Sequence, residues 1–388
     1  MEFARRALLA LVLCGCAPAP FTTPDASMIS DASVTPDAGG EDAGPRDDFS
    51  TALENLRSEH GVPALAALEL RDGEIARTAA VGLRRADDTA LVTTDDRWHL
   101  GSCTKAMTAA LLALVAQDGT LSLDTTLAEA FAGLEIHESM RGVTLYDLLV
   151  HRAGLEPDGT PSPETIELLG IPGPVREARA ELARRVLSRG PAIEPRTETR
   201  YSNIGYILVG AALERATGAS WEDLLHTRLL TPLGMTSCGF GPPAATHDDA
   251  PSGHVLSNGA LEPVPTFDNP PLLGPAGTVH CTLADWARFV DWTMSPPESG
   301  PLALSTDAHA RLVTPTSDGW APGWQVTSRL WARGPVLVHG GSNTTFYVVV
   351  WALPEERRAL FAATNVFGDP GVLATDGAIG WMLEHDAH

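Results

Sequence analysis

Lysine is nearly absent from this chain of 388 residues, because it occurs once, at Lys105, while the other 26 Lys+Arg residues are arginines. A guanidinium keeps its proton at any working pH, so arginine does not act as a base. A lysine amine does so when burial or neighbouring positive charge lowers its pKa. Lys105 follows Ser102 by three residues, which makes this pair the first candidate for proton transfer.

Several other features are scarce, and each shortage excludes a class of protein. The formal net charge of −22 argues against nucleic acid as a partner, because phosphate binding needs basic patches. No apolar run is long enough to span a bilayer. The twelve histidines show no metal-ligand spacing, and no phosphate-cradling loop, Gly-x-Ser-x-Gly or His-Glu-x-x-His is present. We therefore expect a globular protein without metal or cofactor.

The first sixteen residues are typical of an export signal. Arg5 and Arg6 precede an apolar run, and Leu13-Cys14-Gly15-Cys16 resembles a bacterial lipobox whose Cys16 would be acylated. The alternative is an ordinary secretory signal cleaved near Ala19. The sequence thus predicts an exported lipoprotein at the periplasmic or outer-membrane face, with secretion as the alternative and a lipid anchor as its sole membrane contact.

Residues 17–48 are acidic and rich in proline, glycine and alanine, with a loose repeat that includes Pro24-Asp25-Ala26-Ser27 and Pro36-Asp37-Ala38-Gly39. Such a composition cannot bury a core, so we expect a disordered tether. The folded domain should cover 49–388. Within it, Cys238 and Cys281 are the better candidates for a disulfide, although buried free thiols fit equally well.

Hydrophobic periodicity indicates strands at both ends of this domain and helices between them. Asp72-Gly73 predicts a hairpin turn. The expected strands are Ala64–Leu70, Glu74–Val81, Pro335–His339, Thr345–Leu353 and Ala359–Thr364. The expected helices are one from Ser102 to Gly119, then Thr144–His151, Arg176–Ser188, Ile204–Thr217, Trp221–Leu230 and Val372–Glu384. This pattern predicts an α/β (α+β) fold with one antiparallel sheet built from both termini, flanked by helices, and an inserted helical subdomain.

Three short motifs carry candidate chemistry. Residues three apart share a helix face, so Ser102 and Lys105 would point the same way, at a helix N-terminus. Tyr201-Ser202-Asn203 precedes a helix, where the phenol would lose or relay a proton and the amide would hold Lys105 or a substrate carbonyl. The alternative is that Tyr201 is core and Asn203 a helix cap.

The third motif is His339-Gly340-Gly341-Ser342, at the end of an apolar strand. Its glycines would let a substrate backbone approach closely, and the N–H groups of Ser102 and Ser342 would form an oxyanion hole. The alternative is an ordinary glycine turn. We count His339, Gly340, Gly341 and the following Asn343 as substrate-binding candidates.

The order of these motifs resembles the serine β-lactamase and penicillin-binding-protein superfamily. Tyrosine in the second motif resembles its class C branch, which includes D-alanyl-D-alanine carboxypeptidases, D-aminopeptidases and esterases. Three further stretches are similar to that branch: Leu145-Tyr146-Asp147-Leu148-Leu149-Val150-His151-Arg152-Ala153-Gly154-Leu155, Pro232-Leu233-Gly234-Met235-Thr236 and Pro275-Ala276-Gly277-Thr278. The resemblance implies a β-lactamase/transpeptidase-like fold.

The resemblance also implies roles. Ser102 is then the acylated nucleophile, Lys105 and Tyr201 share acid and base work, and Asn203 orients the lysine. Ser342 completes the oxyanion hole through its backbone. His339 stands where the family's third motif has a lysine that helps to hold a drug's carboxylate, and this replacement favours ester or D-peptide substrates over β-lactams.

The sequence therefore predicts an exported serine hydrolase that acts through an acyl-enzyme on an ester, a D-amino-acid amide or peptide, or weakly a β-lactam. One alternative is a non-catalytic penicillin- or cell-wall-binding sensor with the same fold. Another is a Ser-His-Asp hydrolase that uses His151 or His339. We expect His151 to be a packing residue, and Trp320 and Trp324 to be either core or pocket wall. Oligomeric state is not predicted.

Overall fold

The computed structural model describes residues 48–157, 162–298 and 300–385. Cys16 and residues 17–47 of the expected tether therefore lie outside the described residues. The helices are α1 Asp48–Glu59, α2 Thr104–Ala116, α3 Leu127–Ala130, α4 Glu138–Arg141, α5 Leu145–Leu149, α6 Pro163–Leu169, α7 Val175–Arg189, α8 Asn203–Thr217, α9 Trp221–Leu225, α10 Pro243–Thr246, α11 Gly274–Gly277, α12 Leu283–Met294, α13 Thr306–Val313 and α14 Asp369–Glu384. Short 3₁₀ turns cover Gly101–Cys103, Pro271–Leu273 and Pro354–Glu356, and a π-helical turn covers His226–Leu230.

The strands are β1 Ala64–Arg71, β2 Glu74–Gly82, β3 Trp98–His99, β4 Gly239–Phe240, β5 His254–Ser257, β6 Ala260–Pro263, β7 Val279–Cys281, β8 Trp320–Ala321, β9 Trp324–Thr327, β10 Val336–Ser342, β11 Tyr347–Leu353 and β12 Arg358–Thr364. Seven of them form one antiparallel sheet in the order β2-β1-β12-β11-β10-β9-β8. The prediction of a sheet built from both ends of the domain is confirmed, since β1 pairs with β12.

The large sheet is buried on both faces. Alternate residues of a strand point to opposite faces, and in β1 Ala66 and Leu68 join the larger core while Leu65 and Ala67 join the smaller one. The smaller core lies under α1 and α14, and the larger core lies under the helices inserted between β2 and β8. This explains why β1, β11 and β12 are apolar almost throughout rather than alternating.

The helix α2 lies in the middle of the larger core. All of its residues from Thr104 to Val115 are buried, and α8 is buried from Ile204 to Glu214. A helix that is apolar all round has no solvent face to expose. Both helices therefore begin in the interior, and the residues at their N-terminal ends meet there.

Most predicted elements are present with shifted ends, and three differ in kind. Ser102 belongs to a 3₁₀ turn before α2, and α2 ends at Ala116 rather than near Gly119. The single helix expected over Trp221–Leu230 splits into α9 and a π-helical turn, in which Thr231 N–H donates to His226 O and both Leu229 and Leu230 are buried. Strand β10 continues through Ser342 instead of stopping at His339, because its pairing with β11 extends to Ser342 opposite Tyr347.

The expected hairpin turn is present, with positive φ at Asp72 and Gly73. Cys238 and Cys281 form a disulfide, so the free-thiol alternative is wrong for this pair. That bond ties the loop before β4 to β7, the middle strand of a second sheet ordered β3-β7-β4. Because β3 ends two residues before Gly101, this small sheet supports the segment that carries Ser102.

Candidate active site

The amine of Lys105 lies at the meeting point of α2, α8 and α11. The residue is fully buried, and its Nζ lies 3.0 Å from Ser102 Oγ, 2.6 Å from Asn203 Oδ1 and 2.8 Å from Ala276 O. The first contact exists because the tight 3₁₀ turn sets Ser102 one turn before Lys105. The other two come from helices that are distant in sequence, so the fold assembles this cluster from three separate segments.

These three oxygens differ in what they can do. The carbonyl oxygens of Asn203 and Ala276 accept hydrogen bonds and cannot donate, so each takes one N–H of Lys105. The Ser102 hydroxyl both donates and accepts. When the amine is neutral, its lone pair thus faces the one partner that has a proton to give. The arrangement is chemically suited to removing the Ser102 hydroxyl proton.

Tyr201 packs directly against this cluster. Its ring centroid lies 4.8 Å from Lys105 Nζ, and the residue is 9% exposed. Asn203 is the first residue of α8 and Ser202 precedes it as the N-cap, without a side-chain capping bond. The alternative in which Asn203 caps the helix is therefore wrong, since its Oδ1 accepts from Lys105 instead.

His151 holds the segment that carries Tyr201. The Nδ1 atom of His151 accepts from Ser202 N–H at 3.1 Å, and its carbonyl accepts from Arg200 N–H at 2.8 Å. Its ring lies against that of Tyr201, with centroids 4.4 Å apart. Burial is the main cause that holds the pKa of His151 well below its usual range, and the nearby Lys105 contributes to the shift. His151 is consequently a neutral buried ring, in agreement with its predicted packing role.

The third motif lies within β10, so the glycine-turn alternative is wrong. A Cβ on Gly341 would lie 2.2 Å from Leu100 O and 3.0 Å from Ser102 N, and a Cβ on Gly101 would lie 2.3 Å from Ser342 N. Glycine is thus required on both sides because two backbones touch there. The fold brings the N–H-bearing segments of Ser102 and Ser342 together, as the expected oxyanion hole requires.

Two further substrate-binding candidates of this motif, Gly340 and Asn343, lie close to residues of β11 and of the connection that leads to it. A Cβ on Gly340 would lie 2.8 Å from Tyr347 Oη. The Asn343 side chain is buried, and its Oδ1 accepts from Thr345 N–H, Thr345 Oγ1 and Phe346 N–H. The Asn343 side chain is therefore engaged in hydrogen bonds within the protein, and its role as a substrate-binding residue stays a prediction.

His339 provides no positive charge in the third motif. Its Nδ1 atom lies 2.6 Å from Gly323 O, and a carbonyl can only accept, so the ring carries its proton on Nδ1. Burial lowers the pKa of His339 to about 4, and the charge of Lys105 contributes to this shift. At neutral pH the imidazole is therefore uncharged, and its Nε2 atom is an acceptor.

Aromatic rings surround this neutral imidazole. Trp320 meets His151, Tyr201 and His339 with ring centroids 5.0, 5.6 and 6.4 Å apart. Trp320 thus belongs to the wall of the site, whereas Trp324 belongs to the larger core. The pattern of residues gave no way to separate these two tryptophans, since both stand beside glycines in one short stretch.

Two backbone contacts of the site, the carbonyls of Ala276 and Gly323, could not be predicted from the sequence, because every residue type carries a carbonyl. Over 48–157, 162–298 and 300–385, no group of three or more His, Cys, Asp or Glu side chains is arranged to hold a metal ion. In the same part of the chain, no helix has the length and apolarity needed to cross a membrane.

Comparison with known proteins matches residues 49–379 to the Beta-lactamase family model. Penicillin-binding protein 4 of Amycolatopsis lactamdurans is 30% identical over 304 residues, which cover 74% of this chain and 77% of that protein. The unguisins hydrolase of Aspergillus campestris is 29% identical over 354 residues, and the match covers 84% of this chain but 63% of that protein. The chain therefore belongs to the β-lactamase family.

Solved structures agree on the fold. The octameric penicillin-binding protein homologue from Pyrococcus abyssi superposes with a TM-score of 0.71 at 21% identity, over 87% of this chain and 77% of that one. A D-amino acid amidase from Ochrobactrum anthropi superposes with a TM-score of 0.67 at 20% identity, over 87% and 97%. At this level of identity the likeness shows a β-lactamase/transpeptidase-like fold, and the family indicates a serine hydrolase.

Proposed function

We propose that this protein hydrolyses esters or D-amino-acid amides and peptides through an acyl-enzyme on Ser102. The observation that supports this most directly is the contact of the buried Lys105 amine with Ser102 Oγ at 3.0 Å. Ser102 Oγ attacks the substrate carbonyl while Lys105 takes the hydroxyl proton, and the carbonyl electrons move to its oxygen. The carbonyl then re-forms, the bond to the leaving group breaks as that group takes the proton, and the acyl group remains on Ser102.

Deacylation repeats these steps with water as the nucleophile. Tyr201 lies against Lys105, and we assign it the relay of protons between Lys105, the leaving group and the incoming water. The N–H groups of Ser102 and Ser342 hold the charge that forms on the carbonyl oxygen. Preorganised donors of this kind contribute about 10² to 10³ in rate each.

The uncharged third motif favours substrates without a carboxylate next to the scissile bond. His339 is neutral at pH 7, because burial lowers its pKa to about 4. A buried carboxylate would meet an acceptor nitrogen there instead of a cation, which costs free energy. Relatives that are named a hydrolase and a D-amino acid amidase are consistent with this substrate class. We expect slow turnover of β-lactams.

The proposal is tested with a fluorescent fluorophosphonate and a fluorescent penicillin. Ser102→Ala should abolish labelling by both probes, whereas Ser305→Ala should leave it unchanged, because Ser305 caps α13 and its hydroxyl accepts from Ala308 N–H. Unchanged labelling of the Ser102→Ala variant would refute the assignment. A screen of short-chain nitrophenyl esters, D-amino-acid amides and nitrocefin then identifies the substrate class.

The same labels separate this proposal from its two alternatives. A binding or sensor protein would form the covalent adduct on Ser102 in one burst and would not turn over. A hydrolase that used His151 or His339 as its base would keep activity in Lys105→Ala. Burial leaves both imidazoles weakly basic, which is an argument against that second alternative.

We also propose that the protein is exported and anchored through Cys16. The disulfide between Cys238 and Cys281 is consistent with an oxidising compartment. Metabolic labelling with a fatty acid should mark the full chain, and Cys16→Ser should remove the label and release the protein to the soluble fraction. Lipid incorporation that persists in Cys16→Ser would contradict the anchor.

A further inference from the structure

A carboxylate outside the three motifs joins the two backbone segments of the site. Asp268 lies in the loop between β6 and the 3₁₀ turn at Pro271–Leu273. Its Oδ1 atom lies 2.8 Å from His99 Nε2 and accepts from Asn343 Nδ2 at 2.9 Å. The Asp268 side chain is 8% exposed and His99 is fully buried, so both contacts are shielded from water.

The His99 side of this bridge leads to Ser102. His99 Nδ1 accepts from Gly101 N–H at 3.1 Å, so the proton of a neutral ring lies on Nε2, which faces Asp268. The contact between Nε2 and the carboxylate is not a hydrogen bond despite its short distance, so the attraction is mainly electrostatic. Gly101 has a φ of +48° and directly precedes Ser102. His99 therefore fixes the backbone just before the nucleophile.

The Asn343 side of the bridge leads to Ser342. Asn343 follows Ser342, donates its amide to Asp268, and accepts from the backbone N–H groups of Thr345 and Phe346. These bonds shape the connection from β10 to β11 at the point where β10 ends. The orientation of the Ser342 peptide thus depends on a side chain whose other end is held by Asp268.

We infer that Asp268 is a positioning residue for the oxyanion hole of the proposed hydrolase, an inference that rests on the proposed function. One carboxylate oxygen holds His99 and Asn343, and these hold the peptides on either side of the hole. The two N–H donors must keep a fixed separation to bind one oxygen, and a misplacement of about 1 Å costs up to 10²-fold in rate. The backbone contact between Gly101 and Ser342 limits the distance between the two N–H donors, and Asp268 sets the relative orientation of these donors.

The inference predicts a loss of turnover with little effect on substrate binding. Asp268→Ala should lower kcat for a nitrophenyl ester roughly tenfold to hundredfold, per active site titrated, with KM changed less than threefold. Asp268→Asn should lower kcat less than Asp268→Ala does, because its amide oxygen still accepts from Asn343 Nδ2, while the negative charge that attracts His99 is lost. The preference for an ester over the matching thionoester should fall in Asp268→Ala, since sulfur is a poor ligand for an oxyanion hole.

Asp285→Ala is the matched control. Asp285 is similarly buried and accepts two hydrogen bonds from Ser237, through N–H and Oγ, both at 2.7 Å. Its removal should lower the melting temperature and leave kcat per titrated site unchanged. An Asp268→Ala variant with parental kcat and parental ester preference would overturn the inference, and so would an Asp268→Asn variant as impaired as Asp268→Ala. Absence of Ser102 labelling in the parent would instead refute the proposed function itself.

Discussion

Asn203 Oδ1 accepts a hydrogen bond from Lys105 Nζ at 2.6 Å, in a site that excludes water from the amine. The Asn203 amide is neutral, so it orients the amine without stabilising its protonated form as a carboxylate would. In the proposed mechanism, this pairing leaves the fully buried lysine available as a base. The substitution Asn203→Asp, which replaces the amide nitrogen with a second oxygen, tests whether the neutrality of this side chain matters.

Asn203→Asp should move the acid limb of the pH–rate profile to higher pH. An adjacent carboxylate favours the ammonium form, so the pKa of Lys105 should be higher in this variant than in the parent. A higher pH is then needed to deprotonate the amine. We therefore expect kcat/KM at pH 7 to fall about tenfold or more and to recover partly above pH 9. The measurement is kcat/KM for a nitrophenyl ester from pH 5 to 10.

Asn203→Ala is the companion variant. It removes the orienting bond without adding charge, so activity should fall at every pH while the acid limb stays in place. If Asn203→Asp and Asn203→Ala gave the same profile, the amide would act through shape alone and the assigned basicity of Lys105 would be contradicted.

Much of this site could be predicted because its functional groups belong to side chains in short motifs. Ser102 and Lys105 are a helical turn apart, and Tyr201 and Asn203 stand at the start of an apolar helix. The sequence alone could not decide between a structural and a functional role for the residues of each motif. Asn203 fits a helix cap equally well, and only the approach of α2 to α8 directs its carbonyl to Lys105.

The remaining contacts depend on the path of the backbone. Ala276 and Gly323 contribute carbonyl oxygens, and no side-chain pattern marks them. Asp268 lies in a loop, where the sequence shows no hydrophobic periodicity, and it follows His99 by 169 residues. No local sequence pattern therefore indicates that the two side chains meet. The large sheet was easier to predict, because long apolar runs such as β11 and β12 must be buried on both faces.

The proposed role of Lys105 as a base predicts that Lys105→Arg is about as damaging as Lys105→Ala. Both should lower kcat/KM by roughly 10³-fold or more, because a guanidinium keeps the charge and cannot accept the proton. Lys105→Met serves as the control for volume, since it fills the buried space without any charge. Turnover is measured with a nitrophenyl ester after active-site titration.

Chemical rescue sharpens this test. The Lys105→Ala variant leaves room next to Ser102 Oγ, so small primary amines should restore part of its activity in proportion to the concentration of free base. Guanidine of similar size should not restore it. Equal rescue by guanidine would show that position 105 supplies charge rather than basicity.

The buried histidine His280 should make the free energy of unfolding depend on pH in the acid range. Burial lowers the pKa of His280 to about 4, against an ordinary value of 6.5. The unfolded chain therefore binds a proton that the folded chain rejects between pH 6.5 and about 4, and stability falls as the pH drops through this window. The full shift corresponds to roughly 3 kcal/mol.

His280→Asn isolates this contribution. Asparagine can still donate to Gly241 O, the partner of His280 Nδ1 at 2.9 Å, and it does not titrate. The variant should be less stable than the parent at pH 7.5, because the smaller side chain leaves a cavity. Its free energy of unfolding in urea should fall less steeply from pH 6.5 to 4. A parallel decline in both proteins would contradict the role of His280.

The contact between β10 and the Ser102 turn predicts a large effect of one methyl group. In Gly341→Ala the added Cβ would lie 2.2 Å from Leu100 O and 3.0 Å from Ser102 N, both backbone atoms with no rotamer to change. Strand β10 must then move away from the turn, which separates the N–H groups of Ser102 and Ser342. We expect kcat to fall at least a hundredfold and the melting temperature to fall by several degrees.

Gly380→Ala provides the matched control within the same fold. Gly380 lies in α14, and among the described residues no atom beyond its chain neighbours and its own helix backbone comes within 4 Å of an added Cβ. Alanine is favoured over glycine in a helix by roughly 0.5 to 1 kcal/mol. This variant should be slightly more stable than the parent and equally active. Parental kcat in Gly341→Ala would mean that β10 can shift without moving the donors, and the assignment of Ser342 N–H to the oxyanion hole would then be wrong.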